Sequence, residues 1–131
     1  MFNKRKQPPI RSLIAHGTQI AGNLGFTDGL RIDGAVVGDI RANEDQPSIL
    51  VISESASVSG GVYADHIIIS GSVKGSVHAN LMLELQPKAR IEGDIHYRAL
   101  EMHQGAVISG QLSPALGGEA KPLLKLASNN Q

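Results

Sequence analysis

His78 and His96 are the residues best placed by type and spacing to do chemistry. They lie eighteen positions apart, and each stands three residues after a glycine, in Gly75-Ser76-Val77-His78 and Gly93-Asp94-Ile95-His96. Arg41 and Tyr63 occupy the same place after Gly38 and Gly60. If such positions stack on neighbouring turns of a repeat, two imidazoles come within about 5 Å and could share a zinc ion, provided that a further ligand is supplied. No third ligand from this chain is evident, so a solvated outer row is the competing reading. One position before the same glycines, Lys74 and Glu92 would also be neighbours, an exposed pair worth about 0 to 1 kcal/mol that supports register rather than catalysis.

Other chemistries find less support. The stretch "GSVKGS" lacks the spacing of a phosphate-binding G-x-x-x-x-G-K-[ST] loop, and "GAVISGQ" has Gln where the lysine belongs. Nothing here points to ATP, GTP or another cofactor. Serines are frequent, but none has a matching His and carboxylate. Cysteine is absent, which removes disulfides, thiolate catalysis and Cys-based zinc sites and fits a reducing compartment. The start is basic, yet no apolar signal region follows it, and no run approaches the ~20 apolar residues that span a bilayer.

The elements that carry these residues are legible in a two-residue period. Residues 67 to 85, "IIISGSVKGSVHANLMLEL", alternate for nineteen positions, with Ile67, Ile69, Val73, Val77, Leu81, Leu83 and Leu85 expected on one side. As one straight strand the stretch would exceed about 60 Å, so the chain must bend while keeping its inside and outside. Even positions are apolar or small almost throughout from Ile14 to Ala64, outside the stretch around Glu44 to Ser48; odd positions take over from Ile67 to Ala99, and even ones resume from Leu100 to Leu112.

A repeat underlies the alternation. An aliphatic-Gly-aliphatic unit recurs around Gly22, Gly38, Gly60, Gly75, Gly93 and Gly110, at spacings of 16, 22, 15, 18 and 17 residues. The long interval holds "NEDQPS", residues 43 to 48, read as an inserted loop. A second aliphatic pair usually follows each unit, as in Leu50 and Ile52, Ile67 and Ile69, Leu81 and Leu83, or Leu100 and Met102. This pattern predicts an all-β, single-domain β-solenoid of about six coils, with the glycines at corners too tight for a side chain. Val, Ile and Leu total 34 against two Phe, two Tyr and no Trp, so the narrow interior is aliphatic. One coil cannot offset its own conformational entropy, and the two end coils therefore ask for caps or for another copy.

Charge divides the chain. Residues 1–13 carry Lys4, Arg5, Lys6 and Arg11 against no acid, whereas residues 14–113 carry eleven acids against six bases. The expected organisation is a disordered basic tail at 1–13, the solenoid at 14–113 and a flexible tail at 114–131. The tail's Met1 and Phe2 suit insertion at a lipid interface, and Lys4, Arg5 and Lys6 suit an anionic leaflet. Nucleic acid is a poorer partner, because the body is acidic and almost free of stacking aromatics.

With its opening "MFNKRK" and the stretches "GTQIAGNLGFTDGLRIDGAVVGDI", "IIISGSVKGSVHAN" and "ARIEGDIHYRALEMHQGAVISG", the sequence resembles the bactofilins over about residues 12 to 112. The resemblance implies a right-handed parallel β-helix that assembles end to end into filaments without nucleotide. It also implies residence on the inner face of the bacterial cytoplasmic membrane, where the homopolymer scaffolds cell-shape or cell-wall proteins. Residues expected at the assembling ends are Ile14, Ile20, Leu24 and Phe26, and Val107, Ile108 and Leu112. Some family members carry aromatics in the last coil where Val107 and Ile108 stand here. A non-enzymatic scaffold is thus the leading expectation. The alternative is a trimeric β-helical acyltransferase or zinc hydratase, comparable to the left-handed β-helix carbonic anhydrases, although their hexapeptide pattern is not clear here.

Overall fold

In the computed structural model, which describes residues 8–115 and the backbone of Leu123–Leu124, the chain winds through six coils, each laying one short strand on each of three faces. The first face is built from β1 (Ile10–Ile14), β4 (Asp28–Ile32), β7 (Ser48–Ile52), the later parts of β9 (Val62–Ile69) and β11 (Val77–Leu85), and β14 (Ala99–Met102). The second holds β2 (Gln19–Ala21), β5 (Ala35–Val37), β8 (Ser57–Ser59), β10 (Ser72–Lys74), β12 (Arg90–Glu92) and β15 (Val107–Ser109). The third holds β3 (Leu24–Phe26), β6 (Ile40–Ala42), the early parts of β9 and β11, β13 (Ile95–Tyr97) and β16 (Leu112–Pro114). Each strand pairs in parallel with its counterparts in adjacent coils. The chain is an all-β solenoid.

Period-two alternation becomes columns of like residues. Val36, Val58, Val73 and Ile91 stack on the second face and Ile40, Val62, Val77 and Ile95 on the third, each at most 1% exposed. On the first face Leu50, Ile67, Leu83 and Leu100 form one column and Ile32, Ile52, Ile69 and Leu85 another. Burying each such side chain stabilises the stack by about 1.5–3 kcal/mol.

Both changes of phase in the alternation are corners between the third and first faces. From Ala64 to Ile67 and from Tyr97 to Leu100 only two residues turn the corner, which flips parity, whereas three residues preserve it. That difference corrects the reading of Leu81. The corner after Ala79 takes Asn80, Leu81 and Met82, the pairing of β11 with β9 shifts register there, and Leu81 is 55% exposed. The inward pair of this coil is Leu83 and Leu85, not Leu81 and Leu83.

The six corner glycines form one column, all with φ between +136° and +156°, a region that side-chain-bearing residues rarely enter. What limits them is the stack axis rather than the interior. A Cβ on Gly75 would overlap the carbonyl oxygen of Gly60, and Gly38, Gly60, Gly93 and Gly110 meet the preceding glycine in the same way. Gly22, in the first coil, has nothing within 4 Å of that position.

The tail boundaries also move. Residues 10–13, expected in the basic tail, belong to β1, which continues the first face by pairing with β4. Pro8 and Pro9 precede that strand and do not interrupt it. At the other end Pro114 lies in β16, and Leu123–Leu124 form β17, a parallel strand against β14.

Candidate assembly faces and outer ladder

The inward columns that are sealed in the middle of the stack open at its ends. In the first coil Ile14, Ile20, Leu24 and Phe26 are partly buried against the core, and Ile108 is so in the last. Leu112 extends the column of Ile95 but is 40% exposed, and among the described residues no later strand covers the third face. Six of the seven residues expected at the ends therefore stand on inward columns. Val107 differs: it continues the outward row of Arg90 and is 49% exposed on the outer wall. Among the residues expected to meet a membrane, Met1, Phe2, Lys4, Arg5 and Lys6 lie outside the described residues. Arg11, counted with that basic cluster, sits in β1 with Nε 3.0 Å from Asp28 Oδ2.

The outer wall of the third face carries the row expected from the repeat. The Arg41 guanidinium lies 3.9 Å from the Tyr63 ring centroid. Tyr63 stacks on His78 at 4.5 Å and His78 on His96 at 4.4 Å, with interplanar angles of 12° and 9°. Parallel strand register sets this geometry, since Tyr63 pairs with His78 and His78 with His96. Burial, then the charges available on His96 and Arg41, pushes the His78 imidazole below its usual range. Stacked face to face, the two imidazoles direct their nitrogens side by side instead of converging on one point. Among the described residues, no group of three or more His, Asp or Glu side chains is arranged to hold a metal ion.

A second row was missed in the sequence. Asn23 Oδ1 accepts the Asp39 backbone N–H at 2.9 Å, Asp39 Oδ1 accepts that of Gly61 at 2.8 Å, and Asp94 Oδ1 accepts that of Gln111 at 3.1 Å. These side chains tie the corner of one coil to the next beside the glycine column. The signal was the recurring Gly-Asn or Gly-Asp pair at 22–23, 38–39 and 93–94. Ser48 and Asp65 form a related clamp at the inserted loop: the Ser48 N–H donates to Asp65 Oδ2 at 3.2 Å, and the Asp65 N–H to Ser48 Oγ at 2.9 Å. On the first face His66 lies 3.7 Å from Glu84, and His103 lies 3.5 Å from Glu101.

This stack of parallel coils coincides with a known domain. Residues 12–113 match the family model for bactofilin, described as polymer-forming cytoskeletal. The chain belongs to the bactofilin family. It is also similar to Bactofilin BacO of Myxococcus xanthus (strain DK1622), at 26% identity over 111 residues covering 85% of each chain. No solved structure matches. The matched bactofilin span begins inside β1 and ends inside β16, so it takes in all six coils and leaves out β17. Membership identifies the chain as a structural, polymer-forming protein.

Proposed function

We propose that this bactofilin is the subunit of a filament in which copies meet through their end coils, without nucleotide. We further propose that the filament lies on the inner face of the bacterial cytoplasmic membrane. The observation that carries the reading is the contrast along the inward columns. Ile95 is fully buried, while Leu112, directly after it, is 40% exposed. A further coil supplied by another copy would bury these residues and pair the strands left at the edges.

In this reading Lys4, Arg5 and Lys6 hold the subunit weakly to anionic lipid, and Met1 and Phe2 insert at the interface. Each copy contributes little alone, but a filament displays many, so polymerisation and membrane residence reinforce one another. The surface that remains is a scaffold for cell-shape or cell-wall proteins.

Electron microscopy of the purified protein tests the assembly. Ile108→Arg is expected to leave a folded, soluble chain with few or short filaments, and filaments of normal length would remove Ile108 from the contact. For the anchor, full-length chain carrying Lys4→Glu, Arg5→Glu and Lys6→Glu is compared with wild type in co-sedimentation with anionic vesicles. Equal pelleting would remove the basic cluster from the mechanism.

A further inference from the structure

Among the described residues, the two ends of the solenoid are not equally open. On the first face of the last coil, β17 pairs with β14 in parallel, Glu101 opposite Leu123 and Met102 opposite Leu124. Leu100, in that same strand β14, is fully buried. On the other two faces the inward Ile108 is only partly buried and Leu112 is 40% exposed. One of the three edges is therefore covered by the chain's own C-terminal segment.

The spacing identifies this segment as the start of a seventh coil. Leu124 follows Met102 by 22 positions, the same interval as that from Gly38 to Gly60. A two-residue strand is far shorter than the roughly 5–6 residues of an ordinary one, so it is held by little.

A second copy adding its coil to this end needs the β14 edge together with those of β15 and β16. From this competition we infer that β17 is a detachable cap on the C-terminal end, and that it must leave β14 before another subunit can stack there. The occupant of the edge alternates between the chain's own Leu123–Leu124 and a strand of a second copy. Apparent affinity at this end is then the intrinsic affinity reduced by the fraction of chains whose edge is bare. The inference rests on the proposed stacking through end coils.

The chain has no cysteine, which allows the cap to be locked reversibly. Glu101→Cys with Leu123→Cys places one thiol on each strand at paired positions, roughly 4.8 Å apart in the direction of pairing, within disulfide reach. Full-length double variant is oxidised, analysed for intramolecular crosslinking, and assembled with and without reductant beside each single variant and wild type. The expected result is an intramolecular disulfide, a critical concentration for filament formation raised about tenfold or more, and recovery on reduction. Leu124→Pro, which weakens the pairing, should lower the critical concentration severalfold relative to wild type. A locked chain that assembles as the reduced one does would overturn the cap, and so would failure to form the intramolecular crosslink. Wild-type chain that forms no filaments would instead overturn the stacking reading on which the cap depends, whatever the crosslink shows.

Discussion

Replacing Gly75 by alanine should damage the solenoid more than replacing Gly22, although both sit in the same corner column. Gly75 has φ +156° and Gly22 φ +136°, so either substitution forces an L-residue into a conformation costing about 1–3 kcal/mol. The loss of chain freedom in the unfolded state returns about 0.4–1 kcal/mol to both variants and cancels in the comparison. The new methyl separates them: at Gly75 it overlaps the carbonyl of Gly60, while at Gly22 it meets nothing within 4 Å. Relief at Gly75 requires the coils to part locally, where Val62 N–H donates to the Ser76 carbonyl at 2.9 Å and Gly60 N–H to that of Lys74 at 2.9 Å. Losing one such bond adds about 0.5–1.5 kcal/mol. Gly75→Ala is thus expected to be less stable than Gly22→Ala by about 1 kcal/mol, or roughly 4–8 °C in melting temperature for a domain of this size. Urea unfolding below the assembly concentration, read as a midpoint change at constant slope, measures it. Equal midpoints would refute the steric account of the column. The order should reverse in filament yield, since a copy stacked on the first coil would meet the methyl of Gly22→Ala.

Leu83→Ala should cost about 2–5 kcal/mol, while Leu81→Ser, at the exposed corner, should stay within about 0.5 kcal/mol of wild type; denaturant midpoints compare them. Asp39→Ala leaves the Gly61 N–H without its side-chain acceptor and should destabilise by about 1–3 kcal/mol, with a smaller effect for Asp39→Asn, which keeps an oxygen in place. Because the folded state lowers the His78 pKa, the unfolded chain binds its proton more readily. Stability from this group is therefore complete above about pH 6.5 and is lost as pH falls through the lower folded value. His78→Phe should flatten that acid limb in melts taken between pH 8 and 5, and an unchanged limb would exclude the stacked imidazoles as its source.

Much of the architecture was readable because a solenoid writes its cross-section into every coil. The alternation and the glycine spacing located the columns of Val36, Val58 and Val73, and even the outer row of Arg41, Tyr63, His78 and His96. Leu81 was misplaced because a three-residue corner preserves parity and looks like continued strand. The glycines were recognised as corners, but their obstruction comes from a carbonyl one coil away, which no linear pattern displays. Residues 10–13 and Leu123–Leu124 were assigned to tails because an edge strand needs only a partner strand, here β4 or β14, and neither carries a full repeat of its own.

The uneven coil between Gly38 and Gly60 has one more consequence. Its extra residues leave the wall at a single corner, yet Ile40 still pairs with Val62 and Ile32 with Ile52. The stack counts coils, not residues. In a filament whose copies joined head to tail, this protruding corner would recur once per subunit, at about six coils of ~4.8 Å or roughly 29 Å. Such a polymer is a ruler with identical graduations, on which a client that recognises residues 43–47 would be spaced at regular intervals by backbone geometry alone.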